Sequence, residues 1–190
     1  MNYNNIKIEP ILKYYLAYGF NHSLQEMADT VKITKKTLFN RYISKENLEL
    51  CVVDFWQIKS NERMAQRMEY ANNAVEKLMM FLFELQYCKN KESYLFQKSK
   101  EIFLDKFERN SPHILQLEEI FNMGIEEELF HFDSYPKVFA YFFLYNTLFL
   151  LLSDNIIYTE FISFLFDPIL TENGKLVFKD IDIEHVFKKR

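Results

Sequence analysis

The sequence predicts an all-α protein, and three observations predict it. Only three glycines and four prolines punctuate 190 residues, which leaves room for long helices and little for a loop-rich β architecture. Hydrophobic residues make up 49% of the chain, and along most of it they recur at the three- and four-residue spacing of a helix with one buried face. Aromatic residues are abundant, with 20 Phe and 12 Tyr; each ring buries about 150–250 Å², so the core is expected to be built largely from them. The length suits one domain or two small ones.

Several function classes find no support. Cys51 and Cys88 make no spaced framework, and His22, His113, His131 and His185 are too scattered for a zinc-ligand pattern, so no metal and no cofactor are expected. There is no paired nucleophile and base, no Gly-rich phosphate loop and no paired-carboxylate site, and hence no catalytic residue and no enzyme. Glu118-Glu119 and Glu126-Glu127-Glu128 read as solvated helix faces. No cationic start followed by an apolar run suggests a secretory signal, so a cytoplasmic location is expected. The longest uncharged run, Val138–Ser153, is shorter than the ~20 apolar residues of a membrane span. A buried helix and no membrane partner are expected there.

Charge divides the chain. Residues 1–50 hold seven Lys or Arg against five acids, a net +2; the whole chain is −4, so the remaining 140 residues carry −6. A basic end on an acidic body suits a nucleic-acid reader with a separate second part.

Within the basic end, Ile8, Ile11, Leu12, Tyr15 and Leu16 keep helical spacing up to Gly19, a natural helix stop. Pro10 must lie in the first turn, so this helix starts no earlier than about Lys7; Asn2 to Asn5 form a loose arm. Ser23 then caps a second helix with Leu24, Met27, Ala28 and Val31 on its apolar side. Thr34 caps a third, Lys35 to Tyr42, whose Leu38, Phe39 and Tyr42 can face inward. Two short helices joined by a tight turn make a helix-turn-helix. Lys35, Lys36 and Thr37 occupy the first turn of the third helix, where unpaired N–H groups and positive side chains both favour phosphate oxygens. One turn on, Asn40 can pair with adenine, as a Lys can with guanine O6 or N7.

The run Gly19-Phe20, Ser23 to Ala28, Ile33 to Phe39, Tyr42 and Ser44 to Leu48 resembles the tetracycline-repressor (TetR) family in order, spacing and residue type. That resemblance implies a transcriptional regulator, in the usual case a repressor, that binds a palindromic operator in double-stranded DNA as a homodimer. It places Ser23 at a phosphate-facing cap with Gln25 beside it, makes Thr34, Lys35, Lys36, Thr37, Phe39 and Asn40 the recognition surface, and makes Lys45 a grip on the DNA backbone. Three positions depart from the family pattern. Lys32 replaces a turn glycine and is expected to hold positive φ. Lys36 also replaces a glycine and adds a cation, and Phe39 replaces a tyrosine and removes a phenolic donor.

The domain boundary is expected near residue 50, with a DNA-binding domain over 1–50 and a ligand-binding and dimerisation domain over 51–190. Ser44 opens a fourth helix that runs past Arg67 without Gly or Pro, a continuity that suits transmission between the two parts. Further helices are expected over Asn73–Lys89, Glu92–Glu108, Pro112–His131, Pro136–Ser153 and Ile157–Phe166. Asp167-Pro168 and Asn173-Gly174 break the pattern, and Asp182–Lys188 forms a last short helix before a solvated basic end. Partly from the resemblance, a pocket for a small apolar or aromatic ligand is expected among the fourth to seventh helices, lined by Phe55, Tyr87, Phe103 and Phe121 with Gln97 and Asn122 as polar contacts. The eighth and ninth helices are the dimerisation candidates, through Phe143, Leu150, Phe161 and Phe164. A helical protein-interaction module and a regulator with no ligand are the alternatives.

Overall fold

The computed structural model describes residues 8–106, 111–131, 135–151 and 158–181. Among these the named elements are all α-helices, α1 Ile8–Tyr18, α2 Leu24–Thr30, α3 Lys35–Tyr42, α4 Lys45–Met68, α5 Ala74–Lys91, α6 Ser93–Lys106, α7 Pro112–Glu126, α8 Pro136–Leu150, α9 Tyr158–Phe166 and α10 Glu172–Asp180, with one isolated antiparallel bridge between Phe130 and Leu170. The arm expected at Asn2 to Asn5, the helix expected at Asp182–Lys188 and the basic end lie outside the described residues. No described helix is long and apolar enough to cross a membrane.

The chain forms two compact units, Met1–Ser60 with Cys88–Phe107 and Asn61–Tyr87 with Glu108–Arg190. The first unit builds its core from Ile11, Tyr15, Met27, Leu38, Leu48 and Val52, all buried. Gly19 ends α1 as expected: its φ is +75°, its N–H donates to Tyr15 O at 2.9 Å, and the Tyr94 ring of α6 lies where a side chain would stand. Polar side chains tie α4 to Glu92, between α5 and α6, and to α6. Trp56 Nε1 donates to Glu92 Oε2 at 2.6 Å and Gln57 Nε2 to Ser99 Oγ at 2.6 Å.

In the second unit α7 packs along α8, with the Phe121 ring against those of Phe139 and Phe143 and with Ile114, Leu117, Ile120 and Leu144 also buried. α7 stops at Glu126, short of the expected His131. Three consecutive glutamates oppose the negative end of the helix dipole. Glu128 turns to φ 57°, and the N–H groups of Leu129 and Phe130 both close on Gly124 O. The break expected at Asn173-Gly174 is a helix instead. Thr171 caps α10, its Oγ1 accepting from Gly174 N at 2.9 Å, and Gly174 is needed for close approach, since a Cβ there would sit 2.1 Å from Leu129 O. The glycine serves packing, not chain reversal.

Candidate nucleic-acid interface

Local hydrogen bonds shape α2 and α3. Ser23 Oγ accepts from Glu26 N at 3.3 Å and Glu26 Oε2 accepts from Ser23 N at 2.6 Å, a reciprocal capping box. The Ser23 backbone donor holds the Glu26 carboxyl below its ordinary range. Thr34 Oγ1 accepts from Thr37 N at 3.1 Å and lies 2.9 Å from the Thr37 hydroxyl. His22 bridges the end of α1 to α2, with Nε2 3.1 Å from Tyr18 O and Nδ1 3.2 Å from the Tyr14 hydroxyl.

These caps orient a polar surface. Ser23, Gln25, Thr34, Lys35, Lys36, Thr37, Phe39 and Asn40 are all exposed, while Leu38 and Tyr42 are buried and anchor α3. Phe39, allowed an inward position by its spacing, faces solvent because Leu38 and Tyr42 already fill the inner face. The eight exposed side chains lie on α2, α3 and their caps. Gln25 is already engaged, its Nε2 donating to Asp29 Oδ1 at 2.8 Å. Lys45, at the start of α4, is held from two sides: its Nζ donates to Phe20 O at 2.8 Å and lies 3.4 Å from Glu49 Oε1. An ammonium has three donors, so one stays available to a phosphate.

The candidate ligand residues divide between the units. Phe55 and Gln97 belong to the first, and Gln97 is exposed. Tyr87, Phe121 and Asn122 belong to the second. There the Arg63 and Arg67 guanidiniums lie 5.6 and 5.8 Å from the centre of the Tyr87 ring, Asn122 is exposed, and Phe121 is 0% exposed amid the rings of Phe130, Phe139 and Phe143. The side chains of Phe103, Leu150 and Phe161 lie outside the described ones. A cavity of about 200 Å³ does open among α4, α5 and α7, lined by Met68, Lys77, Gln116, Glu119, Ile120 and Met123 among others. None of the six sequence candidates lines it. Of the dimer candidates, Phe143 is 2% exposed with its ring 5.4 Å from Phe121 inside its own chain, whereas Phe164 is 67% exposed. The outward face of α8 carries Val138, Phe142, Tyr145 and Phe149.

No family model matches the chain and no curated protein matches it in sequence. Solved structures do. A gamma-butyrolactone receptor (ArpA-like protein) matches with a TM-score of 0.64 at 12% identity over 97% of this chain and 95% of its own. A TetR-family transcriptional regulator from Agrobacterium tumefaciens matches with 0.59 at 13% identity, over 87% and 98% of the two chains. The chain has the TetR fold. AibR, solved with isovaleryl coenzyme A and operator DNA, shares it with a TM-score of 0.57 at 19% identity, over 84% of this chain and 96% of AibR.

Against the TetR pattern, the first departure takes the form expected. Lys32, in place of a glycine, holds φ 56°. Lys36 is exposed beside Lys35, and Phe39 turns an apolar ring outward where the family has a phenol. Three features escaped sequence reasoning. Arg41 is a further exposed cation on α3, one turn beyond Thr37 and recognisable from that spacing. Ile43 forms a tight turn at φ 67°, ψ −45°, with Ser44 N bonded to Tyr42 O at 2.7 Å. A β-branched residue is rarely found in this conformation, and no local residue pattern signals it. Glu49 is 8% exposed, and its burial depends on α6, which is distant in sequence.

Proposed function

We propose that this protein is a DNA-binding transcriptional regulator that reads a palindromic operator as a homodimer and responds to a small molecule. The observation that carries the reading is the α3 surface, where Lys35, Lys36, Asn40 and Arg41 are exposed together on the second helix of a capped helix-turn-helix. Cations there neutralise phosphates and the amide reads a base edge. The exposed apolar face of α8 and Phe164 of α9 support self-association, because burying each ring in a second copy is worth about 2–3 kcal/mol. A symmetric pair would then present two recognition helices to half-sites about one helical turn apart, or a multiple of it.

The ligand half of the reading is supported by the cavity among α4, α5 and α7 and by the company of the fold, since the solved neighbours include a gamma-butyrolactone receptor and a regulator holding isovaleryl coenzyme A. Three of the four helices expected to wall a pocket, α4, α5 and α7, line this one, with Met68 and Met123 in place of rings, and α6 does not. A ligand there acts only through its differential affinity for DNA-competent and DNA-incompetent states.

Selection of duplexes from a random pool with purified protein tests the reading. A two-fold symmetric consensus is expected, with affinity falling steeply in salt. Lys35→Ala and Lys36→Ala should each flatten the salt slope by about 0.9. A pool that yields no enriched sequence, with no duplex retained at low salt, overturns it.

A further inference from the structure

The phosphate grip assigned to Lys45 sits inside a small charge network of the first unit. Glu49 lies one turn along α4 from Lys45, largely buried. Its Oε1 is 3.4 Å from Lys45 Nζ, and its Oε2 is 3.9 Å from Lys98 Nζ on α6. Lys98 has a second carboxylate within reach, Glu101 at 3.8 Å. The buried hydroxyl of Tyr15 has no hydrogen-bond partner, although Glu49 is near enough that its charge adds to burial in pushing that phenol up.

Two ammonium groups therefore share the charge of one carboxylate, Lys45 at Oε1 and Lys98 at Oε2. A buried carboxylate that loses one cation must find another donor. When Lys45 turns outward, Glu49 can keep Lys98. When Lys98 turns to Glu101, Glu49 keeps Lys45.

We propose that Glu49 is a positioning residue that sets how far Lys45 is available to a DNA phosphate, and that Lys98 on α6 adjusts it. Lys98 at the carboxylate offsets part of its charge and loosens its hold on Lys45; with Lys98 withdrawn, Lys45 is held more tightly. Any event that shifts α6 against α4 then alters DNA affinity without moving the recognition helix. The proposal rests on the DNA-binding reading above.

The test is a double-mutant cycle on the selected operator, with affinity measured against salt for the wild type, Glu49→Gln, Lys98→Met and the double variant. Glu49→Gln should tighten binding severalfold and steepen the salt slope by up to about 0.9, one phosphate's worth. Lys98→Met should weaken binding severalfold in the wild type and change little once Glu49 is Gln. Adding Lys45→Met should erase the gain from Glu49→Gln. Equal losses from Lys98→Met in both backgrounds, or a slope unchanged by Glu49→Gln, overturn the proposal while leaving the DNA-binding reading intact. A wild type that retains no duplex removes the reading itself. Lys98 is partly exposed, so its variant stays informative even if Glu49→Gln proves unstable.

Discussion

In the first unit many polar side chains of α2, α3, α4 and their caps find partners within the unit: Ser23 with Glu26, Thr34 with Thr37, Trp56 with Glu92, Gln57 with Ser99. In the second unit Asn61 Oδ1, Ser111 Oγ, His113 Nε2, Gln116 Oε1 and Thr147 Oγ1 are buried with no hydrogen-bond partner, while Phe142, Phe149 and Phe164 stand about two-thirds exposed. Each orphaned buried atom costs about 1–3 kcal/mol, and each exposed ring forgoes burial. The first unit has two buried hydroxyls without a partner, those of Tyr15 and Tyr42, and carries exposed cations at Lys35, Lys36 and Arg41. The second has more of these orphaned atoms and a wider exposed aromatic face, which is where the proposed ligand and the proposed second copy would act.

The largest expected effect tests the outer face. Phe142→Lys with Phe149→Lys should leave the monomer folded, because both rings are already exposed, and should abolish self-association. Sedimentation should then show a 23.1 kDa species, with operator affinity lower by at least about 100-fold from the lost apolar burial. A variant that stays dimeric would show that α8 is not the missing contact.

Next comes His113, buried edge-on to Phe81 at 6.1 Å between ring centres. Desolvation brings its pKa down from 6.5 to about 4. The unfolded chain takes up this proton near pH 6.5 and the folded chain near pH 4, so stability falls as pH drops through that window and levels off below it. The loss is about 3 kcal/mol. His113→Leu should remove this part of the acid sensitivity, read from unfolding midpoints at pH 7.5 and 4.5; an unchanged pH dependence would mean that the imidazole finds a partner in solution.

Gly124→Ala sharpens the contrast from the packing side. A Cβ there would lie 2.0 Å from the Phe130 ring, so the ring must move and stability should drop by about 1–3 kcal/mol in denaturant titration. The smallest effect concerns the first unit's own strain. Lys32→Gly relieves a non-glycine residue at φ 56° and should raise stability by about 0.5–1 kcal/mol. A loss of stability there would mean that the Lys32 side chain contributes more than its backbone costs.

Much of the helix-turn-helix was legible because its determinants are local. Ser23, Thr34 and Gly19 act on residues within four positions of themselves, and a side chain that cannot avoid its own backbone writes caps and stops directly into the sequence. The same locality made positive φ at Lys32 readable, since the family pattern supplied a glycine for comparison. Glycine read alone misled at Gly174, where the carbonyl of Leu129 requires a missing side chain; a close approach from another segment leaves no mark on the residues beside it.

By itself the sequence determined the all-helical class, the order and approximate bounds of α1 to α9, and the polar residues that the second helix of the helix-turn-helix exposes. These follow from hydrophobic period and capping chemistry, which act over one or two turns. Only the tertiary structure decided that α6 joins the first unit, that Phe143 turns inward while Phe142 and Phe149 turn out, and that Lys45 is restrained by Glu49 and the Phe20 carbonyl. α8 is apolar nearly all round, so its pattern names no inward face, and the choice falls to the rings of α7 that pack against it. Glu49 is an ordinary acid in the sequence; its role comes from Lys98, 49 positions away, brought alongside by the packing of helices and by no local propensity.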